Sequence, residues 1–333
     1  MIEMPDVSAT SIASGFVELA GRGKSAITGT DAVSILHKFC TNDIVKLPVG
    51  HGCEAFVLDA KGQIQFYVIV HRRADELFVE LPADTSVAEV AQGFAKFVGR
   101  YVIVEKVTFT DRTSQVAELF IAGENAAEIV AKAFDITPPD QALEAVDCPK
   151  LGADAWLARS SQAEIPNFTL FAKATQLNKA KALLAGAGAT EQNVAWYEQL
   201  RIAARFPLLG RDILEKALPQ ELDRNTETLN FRKGCYLGQE TVARLDAMGH
   251  VNKSLTLLHG DAAAFDAASA TFSAGEGSEL RAGEAVVGRL NSLTATADGG
   301  AAALAMVRTS HRSPGTILES AHGRWRVAPR PAL

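Results

Sequence analysis

The sequence predicts an α+β protein: two successive antiparallel α+β units, followed by a small all-β C-terminal domain read as a barrel. Three observations predict it. Up to about residue 250, short strand-like runs alternate with amphipathic helices across short links. From about Val251 no long helical pattern remains, and Gly-rich turns separate short β-like runs. The length, 333 residues, exceeds one ordinary core, so two or three domains are expected.

The elements follow in order. "DAVSILHKFC" places apolar residues at 32, 33, 35, 36 and 39, a helical spacing. "TNDIVKLPVGHGC" reads as a polar turn, a short strand and a Pro/Gly loop. "CEAFVLDAKGQIQFYVIVHR" reads as a hairpin, with strands at 54–58 and 63–71 joined by a "DAKG" turn. "ELFVELP" is a third strand. "SVAEVAQGFAKFVGR" is a helix with its apolar face at 87, 90, 91, 94, 97 and 98, and "YVIVEKVTFTD" is a fourth strand. The second unit opens with the strand "QVAELFIAG" and the helix "ENAAEIVAKAF". "TPPDQALEAVDCP" is a Pro-rich connection, and "AWLARS" and "NFTLFAK" are strands. "ATQLNKAKALLAGAG" is a helix. Its Gly186 and Gly188 follow a helix rather than a strand, which favours a helix cap over a nucleotide loop. "NVAWYEQLRIAARFP" is an amphipathic helix stopped by Pro207. "SLTLLHG", "ATFSAG", "AVVGRLNSLT", "GAAALAMVRT", "TILES" and "RWRVAP" are the runs of the final domain.

Composition narrows the function classes. The chain is 47% hydrophobic and 22% charged, the balance of a soluble globular protein. No apolar run approaches the ~18 residues of a membrane span. The N-terminus has neither a basic start nor an apolar stretch behind it, so no signal or transit peptide is expected. A net charge of −6 argues against nucleic acid as the main partner, because phosphate binding needs a basic face. Cys40, Cys53, Cys148 and Cys235 form no C-x-x-C pair and have no histidine at zinc-finger spacing. Neither a structural zinc site nor a disulfide scaffold is expected, and a reducing cytoplasm is the expected compartment.

Chemistry concentrates in "RKGCYLGQE", residues 232–240. A thiol reacts as its thiolate. Arg232 and Lys233 precede Cys235, and the helix "QETVARL" opens just after it, so basic side chains and helix-start amides would favour the anion. Gly234 and Gly238 would let backbone approach closely. A small buried cysteine beside a tight turn is the competing reading. The histidines are scattered, and His250 is the one near this stretch in sequence. Glu198, Arg201 and Arg205 share neighbouring helical turns. They read either as a solvated charge pattern or as a clamp in which Arg201 holds a ligand carboxylate.

"KGCYLGQE" resembles the signature of the YgfZ family, folate-binding relatives of the glycine-cleavage T-protein, an aminomethyltransferase. Other blocks carry the resemblance in order: "GTDAVSILHKFCTNDI", "VLDAKGQIQF", "LPQEL", "QETVARLDAMGHVNKSL" and "VVGRLNS". The resemblance implies two intertwined α+β subdomains over residues 1–250, a C-terminal β-barrel over 251–333, and a tetrahydrofolate channel. It implies Cys235 as the functional cysteine, with Lys233 as its companion and Gly234, Tyr236, Gly238, Gln239 and Glu240 as motif partners. Asn42, Gln63, Gln65, Tyr67 and Arg201 are the expected folate contacts. Iron–sulfur proteins or their assembly machinery are the expected partners.

The sequence departs from the T-protein in two places. Its acidic pair on the hairpin falls on Phe66 and Tyr67, which supply no carboxylate. The glutamate that holds the pterin falls on Ala203, with Glu198 more than a turn away. Three readings stay open: an iron–sulfur assembly or repair factor using Cys235, an active folate-dependent aminomethyltransferase, and a non-catalytic binding module.

Overall fold

The structure, a computed structural model, describes residues 13–84, 89–260, 278–296 and 299–329. In chain order it contains β1 (Gly15–Glu18), β2 (Gly23–Thr28), α1 (Ala32–His37), β3 (Gly52–Leu58), β4 (Ile64–Arg72), β5 (Leu77–Leu81), α2 (Val90–Gly99) and β6 (Thr108–Asp111). There follow β7 (Val116–Ala122), α3 (Ala126–Phe134), β8 (Ala145–Asp147), β9 (Trp156–Arg159), β10 (Asn167–Lys173), α4 (Leu177–Ala187) and β11 (Thr190–Glu191). The last stretch holds α5 (Val194–Ala203), α6 (Asn225–Thr228), α7 (Gln239–Met248), β12 (Lys253–Gly260), β13 (Glu279–Ala282), β14 (Ala285–Ala295), β15 (Ala301–Arg308), β16 (Ile317–Ser320) and β17 (Gly323–Val327).

Two compact units interleave along the chain. One comprises Met1–Ala20 and Val116–Val194, the other Gly21–Gln115 and Ala195–Leu333. The first unit is built on a six-stranded sheet of order β11-β1-β7-β10-β9-β8. Its pairings are antiparallel except for the parallel contact of β1 with β11. Helices α3 and α4 bury Ile129, Val130, Phe134 and Leu184 in its core beside Leu119, Ile121, Phe168 and Leu170. The helix-cap reading of Gly188 holds: it is left-handed at φ +111 and closes α4.

The second unit contains a five-stranded antiparallel sheet, β3-β4-β5-β2-β6, and a closed barrel, β12-β15-β14-β13-β16-β17. The expected α+β class with a C-terminal barrel is what the structure has. Alternation along β4 aims Val68 and Val70 into the cluster formed with Ile35, Leu36 and Phe39 around α1 and with Phe94 and Val98 from α2. The residues between, Tyr67, Ile69 and His71, are buried too, so β4 is covered on both faces. Trp325 fills the barrel core beside Leu258, Leu290 and Leu318.

Several expectations need correction. The run "YVIVEKVTFTD" forms a strand only at Thr108–Asp111. Ile103 and Val104 are 87% and 86% exposed and lie in a bend where the Glu105 carboxylate accepts both of their amides, in place of a strand ladder. Sequence reading missed β1, β2, β8, β11, β13 and α6, and the short strand read inside "TNDIVKLPVGHGC" does not form: residues 41–51 are turns and bends up to the start of β3. "ATFSAG" and position 87 lie outside the described residues, so those readings have no structural counterpart here.

Candidate functional site

Four sequence blocks meet in the second unit, and polar side chains join them. Thr41 links the end of α1 to β3 and to α6. Its Oγ1 donates to the Thr228 carbonyl at 2.6 Å and accepts from the Phe56 amide at 2.9 Å. The Asn42 amide donates to the carbonyls of Glu54 and Glu227, each at 3.0 Å, while its oxygen accepts from the Asp43 amide at 2.9 Å. Beneath them lies a buried ion pair. Arg224 donates through Nη2 to Glu54 Oε1 at 2.7 Å and through Nε to Oε2 at 3.0 Å, and the Tyr67 hydroxyl donates to the same Oε2 at 2.5 Å. Burial drives the Tyr67 phenol well above its ordinary range, so it stays a donor.

The loop carrying Cys235 is fastened to α1 at both of its ends. Lys233 Nζ donates to the carbonyls of His37 at 2.6 Å and Cys40 at 2.5 Å and sits 4.8 Å from the centre of the Tyr236 ring. The Leu237 amide donates to the Lys38 carbonyl at 3.0 Å. Gly238 then turns the chain at φ +81. A Cβ there would stand 2.5 Å from the Asp59 carbonyl oxygen and 2.9 Å from Gly62 Cα. The hairpin turn and the start of α7 can touch only because both positions are glycine: a Cβ on Gly62, at φ +77, would meet Thr241 at 2.7 Å. Cys235 stands exposed on this loop. Cys40 and Cys148 are buried and Cys53 is partly so.

Electrostatics here run opposite to the expected pattern. Lys233 was expected to act as a charged neighbour of the thiol, but its ammonium points to backbone carbonyls behind the loop. Burial brings its pKa down to about 8. Burial pushes the Cys40 thiol up to about 12 and the Cys53 thiol higher still, so both are inert neighbours. Tyr236 is also raised, to about 12, by burial. Arg232, Gly234 and Glu240 are exposed, and Gln239 is half-buried at the start of α7.

The expected folate contacts do not form one ligand-facing set. Arg201 is fully buried, and its Nε, Nη1 and Nη2 groups donate to Glu198, Phe206 O, Asp212 and Ser292, which uses all of a guanidinium's N–H capacity. The clamp reading of Arg201 is therefore corrected, and so is the solvated-face reading of this helix, since Glu198 is 2% exposed and also binds Arg211 at 3.0 Å. Arg205 leaves the cluster and donates to the Pro329 carbonyl at 2.7 Å. Tyr67 and Asn42 are likewise engaged within the protein. Gln63 and Gln65 are half-buried, and Gln65 Nε2 makes only long contacts of 3.5 Å, the nearest charged one to Asp59. Phe66 packs edge-on against Phe94 at 5.6 Å, and Ala203 is exposed. As a set these residues do not fit a folate shell; two glutamines retain the capacity to bind one.

Sequence reading overlooked His37. It singled out His250, near Cys235 in sequence, yet His37 is the imidazole beside the loop: its Nε2 lies 3.9 Å from where a Gly234 Cβ would stand. Its position inside "GTDAVSILHKFCTNDI", a block already noted for other reasons, was the available signal.

These features place the molecule in a known class. The sequence profile of the GCVT N-terminal domain matches residues 4–226, and the chain belongs to that family. Within it, the chain is 28% identical over 240 residues to the "tRNA-modifying protein YgfZ" of Cronobacter sakazakii, covering 71% of this chain and 68% of that one. It is 27% identical over 286 residues to the protein of the same name from Yersinia pseudotuberculosis, covering 84% and 79%. The glycine cleavage system aminomethyltransferase T from Bartonella henselae superposes with a TM-score of 0.74 at 16% identity, covering 97% of this chain and 87% of that one, and so shares the fold.

Proposed function

We propose that this chain is a YgfZ-type factor that assists iron–sulfur cluster assembly or repair through the thiol of Cys235. One observation carries the proposal: of the four cysteines, only Cys235 is exposed, and its loop is fastened at Lys233, Leu237 and Gly238. A cysteine kept for packing would be covered. A cysteine kept for transfer chemistry is held out on a fixed loop. The residues of this chain supply the thiol, hold the loop and keep the neighbouring cysteines protonated.

The YgfZ relatives carry a name that speaks of tRNA modification. With a net charge of −6 this chain has no charge excess for gripping RNA. We therefore connect it to tRNA modification at one remove, through client enzymes that hold iron–sulfur clusters. Cytoplasm is the compartment this role requires. No helix among the described residues is long and apolar enough to cross a membrane.

A reduced folate is proposed as a regulatory or structural ligand, with Gln63 and Gln65 as its contacts. Aminomethyl transfer is the second class of function, and Phe66 and Tyr67 oppose it. The test is a strain lacking the gene, assayed for iron–sulfur enzyme activity and for modified nucleosides in its tRNA. Both should fall together and return with the wild-type gene. Normal iron–sulfur enzymes beside altered tRNA would replace this reading with direct action on tRNA.

A further inference from the structure

We propose that the cavity between the end of α5 and the barrel binds a small organic anion, its carboxylate or phosphate group held by Arg205 and Arg312. The proposal goes beyond the reading built on Cys235 and shares no residue with that loop or with Gln63 and Gln65. The cavity has a volume of about 290 Å³ and is lined entirely by residues of the second unit. That size lies near the lower end for small-molecule sites and suits a metabolite of a few carbons.

The wall is divided by chemistry. Leu255 and Leu257 of β12 and Ala328 after β17 form its apolar part. Arg205, Arg312 and Asp223 supply the charge. Two guanidiniums face one carboxylate, so the wall carries a surplus positive charge beside apolar surface, which fits an anion with a short apolar body. Arg312 is only lightly engaged. Among the described residues its guanidinium has Asp223 as its one partner, at 3.4 Å, and four of its five N–H groups remain for a ligand or solvent. The hydroxyls of Thr256 and Thr309 also line the cavity, but each gives its proton to a backbone carbonyl, of Ser254 at 3.0 Å and of Val251 at 2.5 Å. The charge-assisted donors on the wall are therefore the two arginines.

The backbone at Arg205 is an independent sign. The Arg205 amide donates to the Ile202 carbonyl and the Phe206 amide to the Arg201 carbonyl, the paired bonds that close a helix through a left-handed residue. Arg205 is that residue, at φ +54, where glycine is the usual choice. Asp223 is left-handed too, at φ +58. A cation placed to complement the end of α5 would serve equally in its last turn, without strain. An arginine at the strained position is explained by where its side chain goes: to the Pro329 carbonyl at 2.7 Å and onto the cavity wall.

The experiment is titration of the full-length protein with three probes: inorganic phosphate, isobutyrate and, as the uncharged control, isobutyramide. Calorimetry and melting temperature are the readouts. Phosphate, isobutyrate or both should bind saturably in the millimolar range and raise the melting temperature, and isobutyramide should not. Phosphate alone would make the ligand a phosphate ester; isobutyrate alone or with phosphate would make it a carboxylate. Arg312→Gln should weaken binding about tenfold, the loss of one charge-assisted pair. Arg205→Gly should weaken it as much and still melt close to wild type, because glycine suits φ +54. Phenylglyoxal labelling of the wild type, read by peptide mass spectrometry, needs no variant: saturating probe should protect Arg205 and Arg312 and leave the exposed Arg324 and Arg326 unprotected. No saturable binding of either anion overturns the proposal. So do equal binding of isobutyramide, wild-type affinity in Arg312→Gln, and the absence of protection at both arginines.

Discussion

The ammonium of Lys233 lies 2.6 Å from the backbone carbonyl oxygen of His37, a residue 196 positions earlier in the chain. The motif lysine thus anchors the loop to the end of α1 and is not aimed at the thiol beside it in sequence.

This placement predicts an unusual pH dependence. The folded pKa of Lys233, about 8, lies below its ordinary 10.5. Between those values the unfolded chain binds the proton that the folded chain has released, so stability rises with pH across that window. The neutral amine still donates to both carbonyls. Urea unfolding at pH 7.5 and pH 10 should show a larger gain for wild type than for Lys233→Met. Equal gains would place the titration elsewhere.

Gly238→Ala should lower stability by about 1–3 kcal/mol, because a side chain is strained at φ +81 and its Cβ meets the Asp59 carbonyl. Thermal melts measure this directly. Gly186→Ala, which meets nothing within 4 Å, serves as the control and should be near neutral or stabilising.

The Arg224–Glu54 pair joins α6 to β3 from within the core. Glu54→Ala should destabilise by about 3–5 kcal/mol, since it leaves a buried guanidinium without its carboxylate. Tyr67→Phe removes one hydrogen bond and should cost about 1 kcal/mol. Denaturant curves that rank the two in the reverse order would contradict this view of the network.

Aminomethyl transfer should be absent. Phe66 is packed on Phe94 and Phe97, and Tyr67 is closed off by Glu54, so neither position offers a base. Incubation with tetrahydrofolate and an aminomethyl donor should yield no methylenetetrahydrofolate. In calorimetry with a reduced folate, any binding should weaken in Gln63→Ala or Gln65→Ala; binding unchanged in both would place the ligand elsewhere.

Much of this was legible in the sequence where chemistry and local pattern agree. The β3–β4 hairpin, the longer helices and the barrel strands β12, β14, β15, β16 and β17 followed from local pattern, and the Cys235 motif from its residues. What escaped depended on distant partners. β2 contains Lys24, which reads as a surface residue, yet Lys24 is 1% exposed and bonds through Nζ to the Arg22 carbonyl. Ile103 and Val104 have strand-forming side chains, but among the described residues neither pairs with a strand, and both stay exposed. Arg201 looked like a ligand clamp because Asp212 and Ser292, 11 and 91 residues away, complete its shell only in the fold. His37 was hidden because it comes beside Gly234 only in the fold, far from it along the chain.

The central claim is that Cys235 works through an accessible thiol and not through packing. Complementation of a gene-deletion strain by Cys235→Ser, at matched levels of folded protein, tests it most directly. The thiol is exposed, so the serine variant should melt within about 0.5 kcal/mol of wild type and still fail to restore iron–sulfur enzyme activity. Full restoration by the serine variant would contradict the account.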